Sequence, residues 1–364
     1  MEESKHLLNL DNIRLDNIIG EGRNTLTYLS KMLADSTQCA SKIIKNEDDE
    51  NDEIFLKYIE MLEEVNHPGI IPFLGFCKSN ENKMKKNAII LKYAANLSLQ
   101  HILSIIDRGE QPPWWSLERQ LIIIYGVAQT MKYLYDQKKP HKNLTLSNIL
   151  IDENYEPQIT DFNQSRYFPK FEYSNENLIK YNLIYYVDPF ILKHKSKILQ
   201  QSDVYSFAII TIQILSGTIN IYEDKKDPEQ LIDDIKNGLK PIIPSNIPNE
   251  LKEFLISCLS NEPKFRPLFK DICTFLDEFI DSNTELSTDI LHEYQEKITG
   301  KDKEEEISIE IKKLKIDAEK GDSRKMFLYA NARLNGENCK KNLTEALKFF
   351  KLAAENGNKL AIEQ

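Results

Sequence analysis

The amino-acid sequence predicts an α+β protein of two lobes, a small β-rich N-lobe and a larger helical C-lobe, followed by a further α-helical segment. Short strand-like runs end near residue 95, long apolar helical patterns fill residues 98–280, and a polar stretch precedes a final amphipathic segment. The length of 364 residues exceeds one small domain and fits two lobes with an additional module.

The predicted N-lobe contains five strand-like runs rich in β-branched and aromatic residues and bounded by turn residues. They are Ile13–Ile19, Thr25–Lys31, Cys39–Ile44, Gly75–Cys77 and Ala88–Tyr93. Between the third and fourth runs, apolar residues recur at helical spacing from Ile54 to Val65, with acidic residues on the other face. This pattern predicts one amphipathic helix against a small sheet.

The predicted C-lobe is mostly helical. Leu117–Leu134 and Val204–Leu215 have the pattern of buried helices, and Asn249–Leu259 and Leu268–Ile280 that of amphipathic ones. The longest uninterrupted apolar stretches, Leu121–Val127 and Val204–Leu215, are well short of the roughly 18–20 residues that a bilayer-spanning helix needs.

Changes in composition along the chain divide it into segments. We predict an N-terminal tail over 1–10, a two-lobed domain over 11–280 with lobes at about 11–95 and 96–280, and a polar linker over 281–306 that ends in the charged run KDKEEE. Residues 307–364 form the final helical segment.

The charge and the cysteines limit the partners and the compartment. The net charge of −10 argues against nucleic acid or an anionic membrane as a partner, because both favour a basic surface. The five cysteines are odd in number and contain no CxxC pair, which indicates reduced thiols and no zinc site. The first ten residues contain acidic and basic side chains before any apolar run, which is not the pattern of a signal peptide. We therefore expect a cytoplasmic protein.

Two motifs in the N-lobe point to a phosphate site. Gly20-Glu21-Gly22 lies at a turn between two predicted strands, and glycines there allow a close approach to phosphates because no Cβ intervenes. The next predicted strand, Cys39–Ile44, carries Lys42, and a role of this lysine toward phosphate is implied by the family resemblance given below.

Two further motifs follow in the C-lobe. His141–Leu150 reads HKNLTLSNIL, and Ile159–Asn163 reads ITDFN. Downstream are Ser202–Phe207 (SDVYSF) and Pro263–Pro267 (PKFRP). The order and spacing of these segments is too specific to be chance.

Together these segments resemble the protein-kinase superfamily over residues 11–280, and the last two resemble its tyrosine-kinase-like branch. The resemblance implies a two-lobed kinase fold that binds ATP and Mg²⁺ in the cleft. The implied nucleotide-binding positions are Gly20, Gly22, Thr27, Ala40, Lys42, Leu91, Ala94 and Leu150, and the implied metal ligands are Asn148 and Asp161. Leu62, Phe73, His141 and Phe162 match the inner apolar column of the family, with Asp203 beneath it.

In the N-lobe several positions depart from the family pattern. Thr25 replaces the third glycine, and Thr27 replaces the valine over the adenine. Tyr58 stands where a helix glutamate pairs with the lysine, so we expect Lys42 to be unpaired. Glu53 or Glu60 would reach Lys42 only if the helix shifted.

In the C-lobe, residues that take part in catalysis or substrate binding in the family are replaced. Asn143 stands at the catalytic aspartate, and an amide cannot accept the substrate proton. Asn163 replaces the glycine after Asp-Phe, and Leu183 replaces a threonine of the substrate groove. Phe190 replaces the glutamate that pairs with an arginine in the family, so we expect Arg266 to have lost its partner.

The final segment repeats itself. Ala318–Asp322 (AEKGD) recurs as Ala354–Asn358 (AENGN), an offset of 354 − 318 = 36 residues. With the aromatic and alanine residues between, this resembles the Sel1-like repeat, a relative of the tetratricopeptide repeat, which buries its apolar face only by stacking on neighbours. Either the chain is part of a longer protein, or the kinase-like domain caps the array.

The sequence favours a pseudokinase: a scaffolding protein that retains weak ATP and Mg²⁺ binding and recruits protein partners through its repeats and its kinase-like surface. Two alternatives stay open. One is an active serine/threonine kinase with unusual catalytic residues, supported by Lys42, Asn148 and Asp161. The other is that the repeats carry the function and the kinase-like domain supports them.

Overall fold

The computed structural model describes residues 6–22, 25–45, 51–78, 86–162, 174–180, 183–194, 200–222, 227–283, 288–300, 314–335 and 343–362. The chain divides into two compact units, Met1–His292 and Glu293–Gln364. The first unit contains the two predicted lobes, and the second contains the final helical segment.

The N-lobe is a five-stranded antiparallel sheet with the strand order β1-β2-β3-β5-β4. Its strands are β1 (Ile13–Glu21), β2 (Thr25–Met32), β3 (Gln38–Ile44), β4 (Phe73–Cys77) and β5 (Ala88–Lys92). Each lies within two residues of its predicted bounds, because the alternation of apolar and polar residues is a local signal.

One helix, α1 (Asn51–Glu63), lies between β3 and β4 in the chain. Phe55 on its buried face meets Phe76 of β4 edge-on, with 6.0 Å between ring centroids. The predicted helix Ile54–Val65 is therefore confirmed, with a start three residues earlier. Its outer face carries Glu60, which is exposed.

The C-lobe is helical, and one of its helices is buried along almost its whole length. Its helices are α2 (Leu99–Ile106), α3 (Leu117–Asp136), α4 (Asn175–Lys180), α5 (Pro189–His194), α6 (Gln200–Ser216), α7 (Pro228–Lys236), α8 (Asn249–Cys258) and α9 (Phe269–Ser282). Every residue of α6 from Ser202 to Ile214 is buried, as expected for the central helix of a lobe.

Serine and aspartate caps begin several of these helices. The Ser98 hydroxyl accepts from the His101 amide at the start of α2, and Ser116 does the same for Arg119 at the start of α3. Asp227 caps α7, and Pro228 takes the first helical position, where its missing N–H costs nothing. Our sequence reading did not identify α2 or α7, although these caps were visible.

A short hairpin joins the two lobes. β6 (Ile149–Ile151) pairs with β7 (Pro157–Ile159), directly before Asp161. The Ile159 amide donates to the Gly69 carbonyl (2.7 Å), and the Ile71 amide donates to the Ile159 carbonyl (3.1 Å). The backbone that carries the metal-ligand candidates is thereby tied to the N-lobe.

The start of the chain departs from the predicted tail over 1–10. The described residues of that segment include Leu7, which forms a parallel bridge with Phe76 at the edge of β4. Leu8 packs on the apolar cluster of the sheet, which includes Ile13 and Cys39. These residues therefore belong to the folded N-lobe.

The polar segment over 281–306, for which the sequence left open a linker or an exposed connecting helix, is helical in part. Phe269–Ser282 extends into its start, and a further helix, α10, spans Asp289–Thr299. The run KDKEEE lies outside the described residues.

The described part of the second unit contains the end of α10, helical residues 314–319, α11 (Ser323–Asn335), α12 (Leu343–Glu355) and α13 (Lys359–Ile362). Its core centres on Tyr329 and Phe349, whose rings meet edge-on at 4.8 Å. Ala318, Ala330 and Ala353 pack around them and are fully buried. The small alanine side chains allow close packing of the helices.

The described cysteines form no disulfide, and the described helices include no membrane span. Cys39, Cys77, Cys258 and Cys273 are free and buried, and Cys339 lies outside the described residues. No helix in the described ranges is long and apolar enough to cross a membrane.

Candidate active site

The turn between β1 and β2, which contains Gly22, is closed by Thr25, the residue that replaces the family's third glycine. The Gly22 amide donates to the Thr25 carbonyl at 2.9 Å. A Cβ added to Gly22 would lie 2.9 Å from the Thr25 hydroxyl, and Thr25 is 8% exposed. The threonine that replaces the family's third glycine therefore fills space within the turn. Arg23 and Asn24 lie outside the described residues.

A lysine at the end of β3 holds this turn from the other side. Lys45 donates to the Glu21 carboxylate (2.7 Å) and to the Gly22 carbonyl (2.9 Å). This contact lowers the pKa of Glu21, mainly through the hydrogen bond. Our sequence reading did not identify Lys45, because a lysine at a strand end has no distinctive pattern.

Lys42 is paired, which corrects the expectation that Tyr58 leaves it without a partner. Its ammonium group forms an ion pair with the Asp161 carboxylate, and both side chains are largely buried. Tyr58 is 2% exposed in the interior of the lobe, and Glu53 pairs with Lys57. A buried ammonium requires an anion close by, and Asp161 supplies it where the helix does not.

The catalytic-loop segment is anchored on a buried aspartate at the start of α6. Asp203 accepts from the backbone amides of His141 (3.0 Å) and Lys142 (2.9 Å) and from the Tyr135 hydroxyl. Burial raises the pKa of Asp203 to about 6, and these donors oppose the shift. The sequence placed Asp203 beneath the apolar column, and the structure brings it directly under the loop.

His141 has no exposed surface and serves as a structural link. Its Nε2 donates to the Thr160 carbonyl (3.1 Å), and its Nδ1 accepts from the Asn143 amide (3.3 Å). Burial lowers the pKa of His141 to about 4, so the ring is neutral at physiological pH. The imidazole therefore joins the catalytic loop to the strand before Asp161.

The two amide side chains of the loop have different environments. The Asn148 side chain donates to the Asn143 carbonyl at 2.8 Å and is 9% exposed. The Thr160 amide donates to the Asn148 carbonyl at 3.0 Å, which places Asn148 beside the segment of Asp161. Asn143 itself is half-buried. An asparagine at this position can donate or accept a hydrogen bond but cannot act as a general base.

Two residues of the site adopt the left-handed backbone region. Lys142 has φ +63° and Asp161 has φ +63°, although neither is a glycine. Such a conformation costs about 1–3 kcal/mol and persists where the surrounding structure enforces it. At Lys142 the enforcing contact is the bond to Asp203, and at Asp161 it includes the ion pair with Lys42.

The positions implied for adenine lie on the strands that form the cleft. Thr27 is opposite Lys42, and Ala40 is opposite Leu91. Leu150 is on β6, where it bridges to Ser98. These residues are thus on the strands and the connecting segment that the resemblance implies.

The residues present fit a nucleotide. Ala94 is 6% exposed, yet its backbone N–H donates to no other residue in the described part of the chain. A backbone N–H that no protein group accepts from is available to a ligand acceptor. The oxygen donors of Asn148 and Asp161 suit Mg²⁺, which prefers oxygen ligands.

Arg266 also has a partner, which corrects the expectation that Phe190 left it without one. Its guanidinium forms a bidentate ion pair with Asp188, at 2.6 and 2.7 Å, and both side chains are fully buried. Two further N–H groups of the guanidinium donate to the carbonyls of Ser260 and Gln201. The carboxylate has moved two positions along the chain and reaches the same arginine.

The segment implied as the substrate groove is only partly described. The Leu183 amide donates to the Leu178 carbonyl (2.8 Å), and the half-buried Phe190 lies against His194 with 4.5 Å between ring centroids. Tyr185 stacks on Tyr222 at 5.8 Å. Asn163 and the residues up to 173 lie outside the described residues.

Comparisons with known proteins agree with this geometry. A sequence model of the family described as protein tyrosine and serine/threonine kinase matches residues 13–276. The chain is 25% identical over 289 residues to the probable serine/threonine-protein kinase PBL7 of Arabidopsis thaliana, covering 73% of each chain. It is 27% identical over 283 residues to the human serine/threonine-protein kinase TNNI3K, covering 74% of this chain and 32% of that protein.

A receptor-like protein of Arabidopsis thaliana, STRUBBELIG-RECEPTOR FAMILY 5, is 25% identical over 300 residues, covering 77% of this chain and 41% of that protein. The chain thus spans less than half the length of two of these three relatives. The family match extends over more than half of the chain and ends before the second unit. The chain therefore belongs to the protein tyrosine and serine/threonine kinase family.

Proposed function

We propose that this protein is a pseudokinase of the tyrosine-kinase-like branch: a cytoplasmic signalling or scaffolding protein that binds ATP and Mg²⁺ weakly and recruits protein partners. The observation that carries the proposal is Asn143, at the position of the catalytic base. General-base assistance contributes roughly 10²–10⁴-fold to such reactions, and an amide cannot supply it. The backbone around Asn143 is held by His141 and Asn148, so the loop is ordered without its base.

Nucleotide binding is supported by what remains in the cleft. When bound, Mg²⁺ would neutralise phosphate charge, and Asp161 and Asn148 would hold it through oxygen atoms. Lys42 would bind the phosphates, and the Ala94 amide would take an adenine acceptor. The ion pair between Lys42 and Asp161 must open for both events, since the ammonium must reach the phosphates and the carboxylate the metal. We therefore expect ATP and Mg²⁺ to favour each other and to bind weakly.

The second unit supports a repeat module. The Gly321 amide donates to Ala318 (3.1 Å), and 36 residues later the Gly357 amide donates to Ala354 (3.0 Å). Both glycines have positive φ, +102° and +81°. This is the geometry of glycine at a helix C-terminus.

The helix starts repeat at the same offset. The Asp322 carboxylate accepts from the amides of residues 324 and 325, and the Asn358 side chain accepts from those of 360 and 361. Repetition of helix end, turn and cap supports the Sel1-like interpretation. Modules of this kind bind other proteins across stacked helices.

An active serine/threonine kinase is the second candidate. Lys42, Asn148 and Asp161 are all present and close to one another, and phosphoryl transfer depends mainly on positioning and charge stabilisation. Measurable phosphotransfer would favour this candidate. Two of the relatives, PBL7 and TNNI3K, are named as serine/threonine-protein kinases, which also supports this candidate.

Nucleotide binding is tested by thermal unfolding with ATP, with and without Mg²⁺. A ligand at 100 times its Kd adds about 2.7 kcal/mol of stability. We expect Mg²⁺ to increase the ATP-induced shift in the natural protein, and Asp161→Asn to remove that increase. Lys42→Met should weaken ATP more than adenosine, which has no phosphates. Lys132→Met is the control, because Lys132 pairs with the exposed Asp136 on α3 and contacts none of the described nucleotide positions.

Equal shifts in all four proteins would mean that the cleft does not use Lys42 or Asp161 for nucleotide. Phosphotransfer to a generic protein substrate, near the roughly 1–100 s⁻¹ typical of kinases, would contradict the proposal of a pseudokinase.

A further inference from the structure

We propose that residues 6–8 form a strap that positions helix α1, in place of an ion pair between helix and lysine, which the described side chains do not form. The strap lies along the outer edge of β4 and also reaches the last turn of α1. Its residues were expected to be a tail, and neither the catalytic nor the nucleotide positions involve them.

The first contact is with the edge of the sheet. β4 is the last strand in the order, so its outer edge would otherwise be unpaired. The Leu8 amide donates to the Phe76 carbonyl at 2.8 Å, and the Phe76 amide donates to the His6 carbonyl at 2.9 Å. The strap therefore satisfies both backbone groups of Phe76, the residue that packs on α1 through Phe55.

The second contact requires a glycine. A Cβ added to Gly75 would lie 2.6 Å from the His6 carbonyl oxygen and 2.7 Å from Leu8 Cδ1. All three nearest atoms to such a Cβ belong to the strap. Gly75 also has φ +155°, which other residues rarely adopt. Gly75 thus admits the strap to the edge of β4.

The third contact is with α1 itself. His6 Nδ1 lies 2.9 Å from a carboxylate oxygen of Glu63, in the last turn of the helix. The same imidazole lies 5.5 Å from the Phe73 ring of β4. One residue of the strap therefore contacts both the sheet and the helix, and fixes the distance between them.

This contact has a consequence for the nucleotide site. Tyr58 faces the interior and provides no carboxylate to Lys42, while Lys42 is held by Asp161. The end of α1 is then fixed by the strap through Glu63. His6 and Gly75 are accordingly positioning residues for α1, and residues 6–8 are an internal binding segment for the edge of β4.

The fit at Gly75 is tested by a double-mutant cycle in urea unfolding. Gly75→Ala should lower the unfolding midpoint of the full chain. In a chain that lacks residues 1–8 the loss should fall to about half or less, because the backbone strain remains but the strap atoms are gone. If the truncated chain does not fold, Leu8→Ala serves instead, since it removes the side-chain atoms near Gly75. Equal losses in both backgrounds would overturn the assignment of Gly75.

The action on α1 is tested by hydrogen exchange of its amides. Glu63→Ala should accelerate exchange in the last two turns of α1 by about two- to fivefold, as loss of a solvent-exposed contact between His6 and Glu63 implies. Glu63→Gln should restore most of the protection, because an amide still bonds to His6. Glu60→Ala is the control on the exposed face and should change little. Equal exchange in Glu63→Ala and Glu60→Ala would overturn the proposal.

Discussion

Asp188 and Arg266 form a fully buried bidentate ion pair across 78 residues of sequence. The Ser202 hydroxyl and the Phe190 amide also donate to Asp188, so both oxygens of the carboxylate are satisfied. The pair joins the end of the partly described activation segment to the turn before α9. It preserves a structural link although Phe190 occupies the family's glutamate position.

Removing the negative charge from this pair should be costly. Asp188→Asn would leave the buried guanidinium without a counter-charge, and breaking a buried pair in this way costs about 3–5 kcal/mol. We expect a corresponding loss in the free energy of unfolding from urea titration. Lys264→Ala is the control, since Lys264 is exposed and lies over the Phe265 ring. Phe190→Glu should not increase the free energy of unfolding, because Arg266 already has Asp188 as its partner. An increase would show that Arg266 can still gain from a second carboxylate.

Restoring the catalytic carboxylate alone should not restore activity. If the base were the only loss, Asn143→Asp would raise phosphotransfer by roughly 10²-fold or more. We expect a gain below about tenfold, because Tyr58 and Leu183 remain altered and Asp161 is engaged by Lys42. The measurement is transfer of labelled phosphate from ATP, with thermal unfolding to verify the fold. A gain near 10²-fold would indicate an enzyme disabled at one position.

The pair of buried groups under the catalytic loop should give opposing pH dependences. Asp203 has its pKa raised by burial to about 6, so the native state keeps a proton that the unfolded state loses. Its contribution is complete below about pH 4 and is lost as the pH rises to about 6, by about 3 kcal/mol. His141 has its pKa lowered by burial to about 4, so its contribution is complete above about pH 6.5 and is lost as the pH falls.

These contributions nearly cancel between pH 4 and 6.5 in the natural protein. In Asp203→Asn, stability should rise with pH across this window more steeply than in the natural protein, by up to about 3 kcal/mol. In His141→Asn, stability relative to the natural protein should fall as the pH rises across this window, by a similar amount. Urea titrations at several pH values compare the slopes, which separates the effect from the loss of packing. Parallel curves for all three proteins would contradict these pKa shifts.

The two copies of the turn in the second unit should respond alike. Asp322→Ala and Asn358→Ala each remove a side-chain cap and should cost about 1 kcal/mol. Gly321→Ala and Gly357→Ala should cost about 1–2 kcal/mol each, because both positions have positive φ. Urea unfolding of each variant, compared with that of the natural protein, is the measurement. Lys351→Ala, on the exposed face of α12, is a control that leaves the caps intact, and different losses at equivalent positions would argue against a structural repeat.

Much of the N-lobe and of the site order could be predicted from the sequence. The strands β1 to β5 match their predicted bounds because β-branched alternation and turn residues act over a few positions. The motifs around Lys42, Asn148 and Asp161 were visible because the spacing of the family pattern is preserved. The loss of a base at Asn143 follows from the residue type alone and needs no coordinates.

Only the tertiary structure decided which charged groups meet. Lys42 and Asp161 are 119 residues apart, and Asp188 and Arg266 are 78 apart, so no local pattern links them. The sequence showed that two usual carboxylates were absent, and we wrongly expected two unpaired cations. Burial explains the outcome: a charge removed from water must be neutralised nearby, and the fold places whichever carboxylate is within reach beside it. The same holds for residues 6–8, since only the folded sheet has an edge for them to pair with.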